Sequence, residues 1–244
     1  MKVVVVYKWA RDEASATVRS GGQVDWGAAK FVAGDDDHAA LATAKAIAEA
    51  SGGEVVGLTL GNGEASWVLA RGVEKAFSVD AVPPLADNAV TAAILAAATQ
   101  AIGQVDVVVI GDSDQATGVG VTLAGHLGWP VIAGVSSAGA NDDQVTATRR
   151  GAEVTQTLAT PAPVVLVVAA AGSEPRAPGM REQLLARKRP IERLDLAGFD
   201  LDLEEGFTLA GTSAPTNAGA SMIEGSIEQQ VPALLSQLQA EGVM

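Results

Sequence analysis

An α/β fold built on a doubly wound, mostly parallel sheet is predicted by three features of this 244-residue chain. Short, almost wholly apolar β-branched runs recur along it, beginning with Val3-Val4-Val5-Val6. Strands without in/out alternation belong to sheets covered on both faces. Ala-rich segments of helical length separate these runs, and strand–helix alternation is the grammar of parallel βαβ units. With 48% apolar but only 4% aromatic residues, the core must be mostly Ala, Val and Leu.

The elements follow in order. Met1-Lys2 leads straight into a first strand over 2–7, without the long apolar core and cleavage site of a signal peptide. No apolar run approaches the roughly 20 residues that span a bilayer, so a cytoplasmic chain without membrane insertion is expected. Further strands are predicted over 54–60, 76–80, 105–110, 131–135 and 163–170, and helices over 36–50, 63–72, 87–102 and 117–127. Two polar inserts interrupt the alternation. Residues 16–33, with Gly21-Gly22, and residues 136–160, with Asn141-Asp142-Asp143, read as hairpins.

After Pro175 the composition changes. Residues 172–193 carry six cations against three acids, whereas 194–244 hold eight acids and no base. Residues 206–221 have the composition of a linker, and 226–240 resume helical spacing, with Ser226 and Gln229 placed as a capping box. The division expected is a domain over 1–193, including a segment at 174–193, followed by an arm and helix over 194–244. One small amphipathic helix makes no core alone, so a partner surface is favoured for it.

A net charge of −13 argues against nucleic acid as a partner, because phosphate binding runs on clustered cations. Without Cys there is no thiolate metal site or Cys nucleophile, and two His exclude a His-rich metal site. Neither G-x-G-x-x-G nor a P-loop occurs, and His38 and His126 have no nucleophile at motif spacing, so no catalytic residue is assigned. In open parallel sheets ligands bind at the carboxyl ends of the strands. The loop Gly111-Asp112-Ser113-Asp114-Gln115-Ala116-Thr117-Gly118-Val119-Gly120 therefore has two readings. Its small residues at a helix start suit an anion, whereas Asp112 and Asp114 repel one and suit an acidic helix cap. Asp35-Asp36-Asp37 is likewise either a hard-cation site or a cap cluster. Met180, Leu184 and Leu185 share one helix face, read either as core or as an exposed docking patch.

Several segments together resemble the beta subunit of electron-transfer flavoprotein. They are Val3 to Tyr7-Lys8 with Asp12, Asp106 to Gly111, and His126-Leu127-Gly128-Trp129-Pro130. The most specific is Glu174-Pro175-Arg176 followed by Ala186-Arg187-Lys188-Arg189-Pro190-Ile191-Glu192. The likeness runs from residue 1 to about 195. It implies an adenine-nucleotide-binding type of sheet in a heterodimer with an alpha subunit. That subunit holds most of a redox FAD, and the pair carries electrons from a dehydrogenase to an acceptor. It further implies an AMP, or in bifurcating members a second FAD, against Val6, Gly34, Asp35, Asp36, Asp37, Leu60, Gly111, Asp112, Thr117, Gly118, Val119 and Gly120. Partner docking would fall to Arg176, Met180, Leu184 and Arg187, and the tail would wrap the alpha subunit. Departures are Gly34-Asp35-Asp36-Asp37-His38 where the family usually has N-P-F-[DC]-E, the acids in the 111–120 loop, and Glu13 in place of an aromatic residue or Thr. The alternative from the binding-module class is a stand-alone adenine-nucleotide sensor on the same sheet.

Overall fold

A computed structural model describes residues 1–243 except 20, 62–65, 83–86, 114–115, 142–143, 152, 170–176, 205, 207–209 and 212–221. In chain order the strands are β1 (Lys2–Val6), β2 (Trp9–Arg11), β3 (Thr17–Val18), β4 (Val24–Asp25), β5 (Phe31–Ala33), β6 (Glu54–Leu60), β7 (Lys75–Asp80), β8 (Val107–Gly111), β9 (Val131–Asn141), β10 (Gln144–Arg150), β11 (Thr155–Pro161), β12 (Val164–Val168) and β13 (Ile191–Asp195). The helices are α1 (Asp35–Ala50), α2 (Ser66–Leu69), α3 (Asn88–Ala101), α4 (Val119–Leu127), α5 (Met180–Ala186) and α6 (Ile227–Ala240). Nine strands form one sheet in the order β11-β10-β9-β12-β8-β1-β6-β7-β13. All neighbours from β9 to β13 pair in parallel, and β10 and β11 add an antiparallel extension.

The apolar strands are buried on both faces, as their lack of alternation requires. Val3, Val5, Val107, Val109 and Leu166 pack on one face with Ala40, Ala44 and Ile47 of α1. Val4, Val6, Val108 and Val165 pack on the other with Ile94 and Leu95 of α3 and Leu123 of α4. Small Ala side chains on α1 and α3 let these helices settle close to the Val-rich sheet, which is how a core so poor in aromatics is filled.

The structure departs from the sequence expectations in four places. The strand expected over 131–135 runs on as an 11-residue β9. Gly134, at φ +69°, and register shifts against both neighbours let it pair with β12 and then continue into the β10 ladder. The helix expected over 63–72 is a single turn, Ser66–Leu69, among the described residues. An unforeseen strand, β13, closes the sheet edge beside β7. Its Glu192 and Arg193 make ion pairs with Lys75 and Asp80 of β7, so its sequence reads as a charged segment and not as an apolar run. Charges of this kind also protect an edge strand from further pairing. The first insert is more than one hairpin: β3 and β4 form the hairpin, and β2 pairs with β5 around it.

The chain divides into two compact units. The first comprises Met1–Thr17 and Asp25–Gly211, and the second Val18–Val24 and Thr212–Met244. In the second, α6 carries the expected box, the Ser226 N–H donating to Gln229 Oε1 at 3.2 Å. Among the described residues no helix is long and apolar enough to cross a membrane.

Candidate functional site

The strand order reverses between β7 and β8. From β1 the chain builds outward through β6 and β7, then returns across β1 to lay down β8 on its other side. The carboxyl ends of β1 and β8 therefore flank a topological switch point, where open α/β sheets bind ligands because the two following connections diverge and leave a crevice. The N-termini of α1 and α4 follow these two strands.

The start of α1 is tied to β1 by Asp37. Its carboxylate Oδ2 accepts the Gly34 N–H at 2.8 Å and the Lys8 N–H at 2.9 Å, closing the helix cap and fixing the chain just past β1. The side chain is 5% exposed. Burial pushes its carboxyl up to about 7, with Asp36 adding to the rise, while the Lys8 and Gly34 N–H groups and the Lys8 charge oppose it. Of the two readings of the Asp35-Asp36-Asp37 triplet, the cap is what Asp37 builds. Among the described residues no cluster of His, Cys, Asp or Glu is arranged to hold a metal.

Gly111 ends β8 against this same turn. A Cβ there would stand 2.8 Å from Asp36 Cβ and 3.1 Å from the Asp37 nitrogen, so only glycine lets β8 and α1 approach so closely. Beyond it Asp112 is exposed, its N–H held by the Val168 carbonyl at 2.8 Å. Asp114 lies outside the described residues. The cap of α4 is Gly118, at φ +81°, with no side-chain hydrogen bond and no acid in the helix's first turn. Asp112 is thus not the acidic cap that one reading of the loop expected. A Cβ on Gly118 would meet nothing within 4 Å, leaving the helix start open. Thr117 is exposed, and its carbonyl accepts from Asn88 Nδ2 at 3.2 Å.

The other expected contacts are apolar. Val6 and Leu60 end neighbouring strands β1 and β6 and pack in the second core. Val119 is buried there too, and Gly120 faces Val167 and Ile110 so closely that a Cβ would stand 2.6 Å from Val167 Cγ2. The structure therefore joins Gly34, Asp36, Asp37 and Gly111 in one cluster and places Thr117 and Gly118 at the α4 start.

The expected docking residues lie on and beside α5. Met180 is 79% exposed and Leu184 54% exposed, and Arg187 is exposed at the helix end. Leu185 is exposed as well, whereas Ala186 is fully buried and anchors the helix. Of the two readings of this face, the exposed patch is the one present. Arg176, with Glu174 and Pro175, lies outside the described residues.

Sequence reasoning missed an aromatic cluster centred on Trp67. Tyr7 stacks on its ring at 5.1 Å, His38 meets it edge-on at 5.1 Å, and the Arg71 guanidinium lies 4.5 Å over it. The i, i+4 spacing of Trp67 and Arg71 was the one legible signal. The Tyr7 and His38 contacts arise only when β1 and α1 are folded together.

A family model described as the electron transfer flavoprotein domain matches residues 29–198, more than half of the chain. That span runs from β5 through β13 and takes in α1, the Gly111–Gly120 loop and α5. With this match and a mostly parallel nine-stranded sheet, the chain belongs to the electron transfer flavoprotein family.

Proposed function

We propose that this chain is the beta subunit of a heterodimeric electron-transfer flavoprotein, carrying electrons from a dehydrogenase to an acceptor through an FAD held mainly by the alpha subunit. One observation carries the choice. Following the family-matched domain is α6, a 14-residue helix with no buried residue. Its Ile227, Val231, Leu234 and Leu235 form a single exposed apolar stripe. A helix this short gains its stability by burying such a stripe, and a partner subunit supplies the surface.

FAD, when bound, supplies the electron-carrying isoalloxazine. The chain's own share is orientation and the adenylate crevice. There the phosphate end fits α4: the Gly118 cap is open and free of a side chain, and the helix dipole favours an anion. The acid count around the crevice overstates the charge facing a ligand, because Asp37 is turned inward and spent on Lys8 and Gly34. Asp112 is the described acid left exposed in the 111–120 loop, and it weakens phosphate binding there. Met180 and Leu184 present the apolar patch on which a dehydrogenase docks.

Co-expression with an adjacent alpha-type chain tests the proposal. The expected product is a yellow heterodimer that releases one FAD on denaturation, with AMP or a second FAD reporting what fills the adenylate crevice. A stable, colourless chain that ignores the alpha-type partner overturns it.

A further inference from the structure

A second concavity shares no residue with the strand-end site. α1, the turn after α2, and α5 enclose a cavity of about 420 Å³, within the size range of small-molecule pockets. Leu41 and Leu69 are buried and supply an apolar floor. Around it stand three cations, Lys45, Arg71 and Arg189.

Each cation is held by backbone carbonyls and none by a carboxylate. Lys45 Nζ donates to the Arg71 carbonyl at 2.9 Å, and Arg71 Nη1 to the Trp67 carbonyl at 3.0 Å. Arg189 Nη1 donates to the carbonyls of Leu69, at 2.7 Å, and of Val73. Among the described residues none of the three makes an ion pair. The acid on the cavity wall, Glu182, accepts the Gly179 N–H on its Oε2 at 2.6 Å, capping α5. Arg71 Nε is buried and has no hydrogen-bond partner. Gathering like charges costs free energy unless a counter-charge joins them, and a buried donor without an acceptor costs more. In a protein of net charge −13, three cations on one small cavity form a local reversal of sign.

We infer that this cavity binds a small organic anion, its carboxylate or phosphate head held by Arg71 and Lys45 and its short apolar tail lying on Leu41 and Leu69. The head supplies the missing counter-charge; the tail covers the apolar floor. Pro178 and Leu185 complete the wall, so the ligand sits against the helix that carries Met180 and Leu184. The inference stands apart from the flavoprotein reading, since it uses neither the flavin nor a partner subunit.

Calorimetric titration of the full-length chain with hexanoate, hexyl phosphate, inorganic phosphate and hexylamine tests it. Saturable one-to-one binding of hexanoate or hexyl phosphate is expected, with no binding of hexylamine, and the tighter of the two identifies the head. Trp67 fluorescence, isolated by difference against Trp67→Phe, should change on binding because Arg71 lies over its ring. Loss of a charge-assisted hydrogen bond in Arg71→Gln should weaken binding about tenfold or more. Lys45→Gln, at an exposed position, should also weaken it and stands in if Arg71→Gln does not fold. The inference is overturned if neither organic anion binds, if hexylamine binds equally, or if Lys45→Gln leaves affinity unchanged. Inorganic phosphate binding as tightly as hexyl phosphate, with hexanoate silent, overturns the apolar tail. In those cases the three cations are clamps on the turn at 69–73 and nothing more.

Discussion

Replacing Asp37 with Asn separates charge from shape at the start of α1. The amide keeps an oxygen that can accept from the Gly34 and Lys8 N–H groups, but it cannot ionise. In the folded chain the carboxyl is raised from 3.8 to about 7, chiefly because burial strips its water. A raised acid holds its proton more tightly when folded than when unfolded. Its contribution to stability is fully present below the unfolded value and is lost as pH rises through the folded one. At about 1.4 kcal/mol per unit, the loss between pH 4 and pH 8 is about 4 kcal/mol. The stability of Asp37→Asn relative to the parent should therefore rise by about that amount over the same interval, in favour of Asn at the alkaline end. Urea unfolding of both proteins at half-unit pH steps measures this difference, in which the titration of groups that do not interact with Asp37 cancels. A difference that stays flat, or that swings toward the parent as pH rises, refutes the reasoning. It would mean that the two N–H bonds outweigh desolvation and keep the carboxylate charged.

Three other outcomes are expected. Gly111→Ala should cost about 1–3 kcal/mol in urea unfolding, since its methyl group would stand 2.8 Å from Asp36 Cβ and neither β8 nor the helix start can yield cheaply. Leu166→Ala, at a fully buried position of β12, should cost about 2–5 kcal/mol in the same assay, because close-packed neighbours on α1 and β9 cannot collapse into the space. Met180→Ala with Leu184→Ala should leave stability within about 0.5 kcal/mol, because both side chains are exposed. On the proposed function the same pair should slow electron transfer from the dehydrogenase about tenfold, as loss of interface anchors does. An unchanged rate would remove α5 from the docking surface.

Some of this molecule was determined by local sequence. Val3 to Val6, Val107 to Ile110 and Val164 to Val168 are buried on both faces of the sheet, and an unbroken apolar run has no other way to leave water. Ser226 and Gln229 foretold their own cap, because both partners of that bond lie within one turn. The exposed face of α5 was legible only as two readings, since i, i+4 spacing names a face and not what covers it. What tertiary structure decided involves partners distant in the chain. Asp37 became a clamp because the Lys8 N–H, 29 residues away, arrives beside it when α1 packs against β1. Arg189 reaches carbonyls more than a hundred residues upstream, and with Lys45 and Arg71 it turns three scattered cations into one cavity. Residue type and spacing encode which groups an element can offer. Which groups meet is set by strand order, a long-range property of the whole sheet.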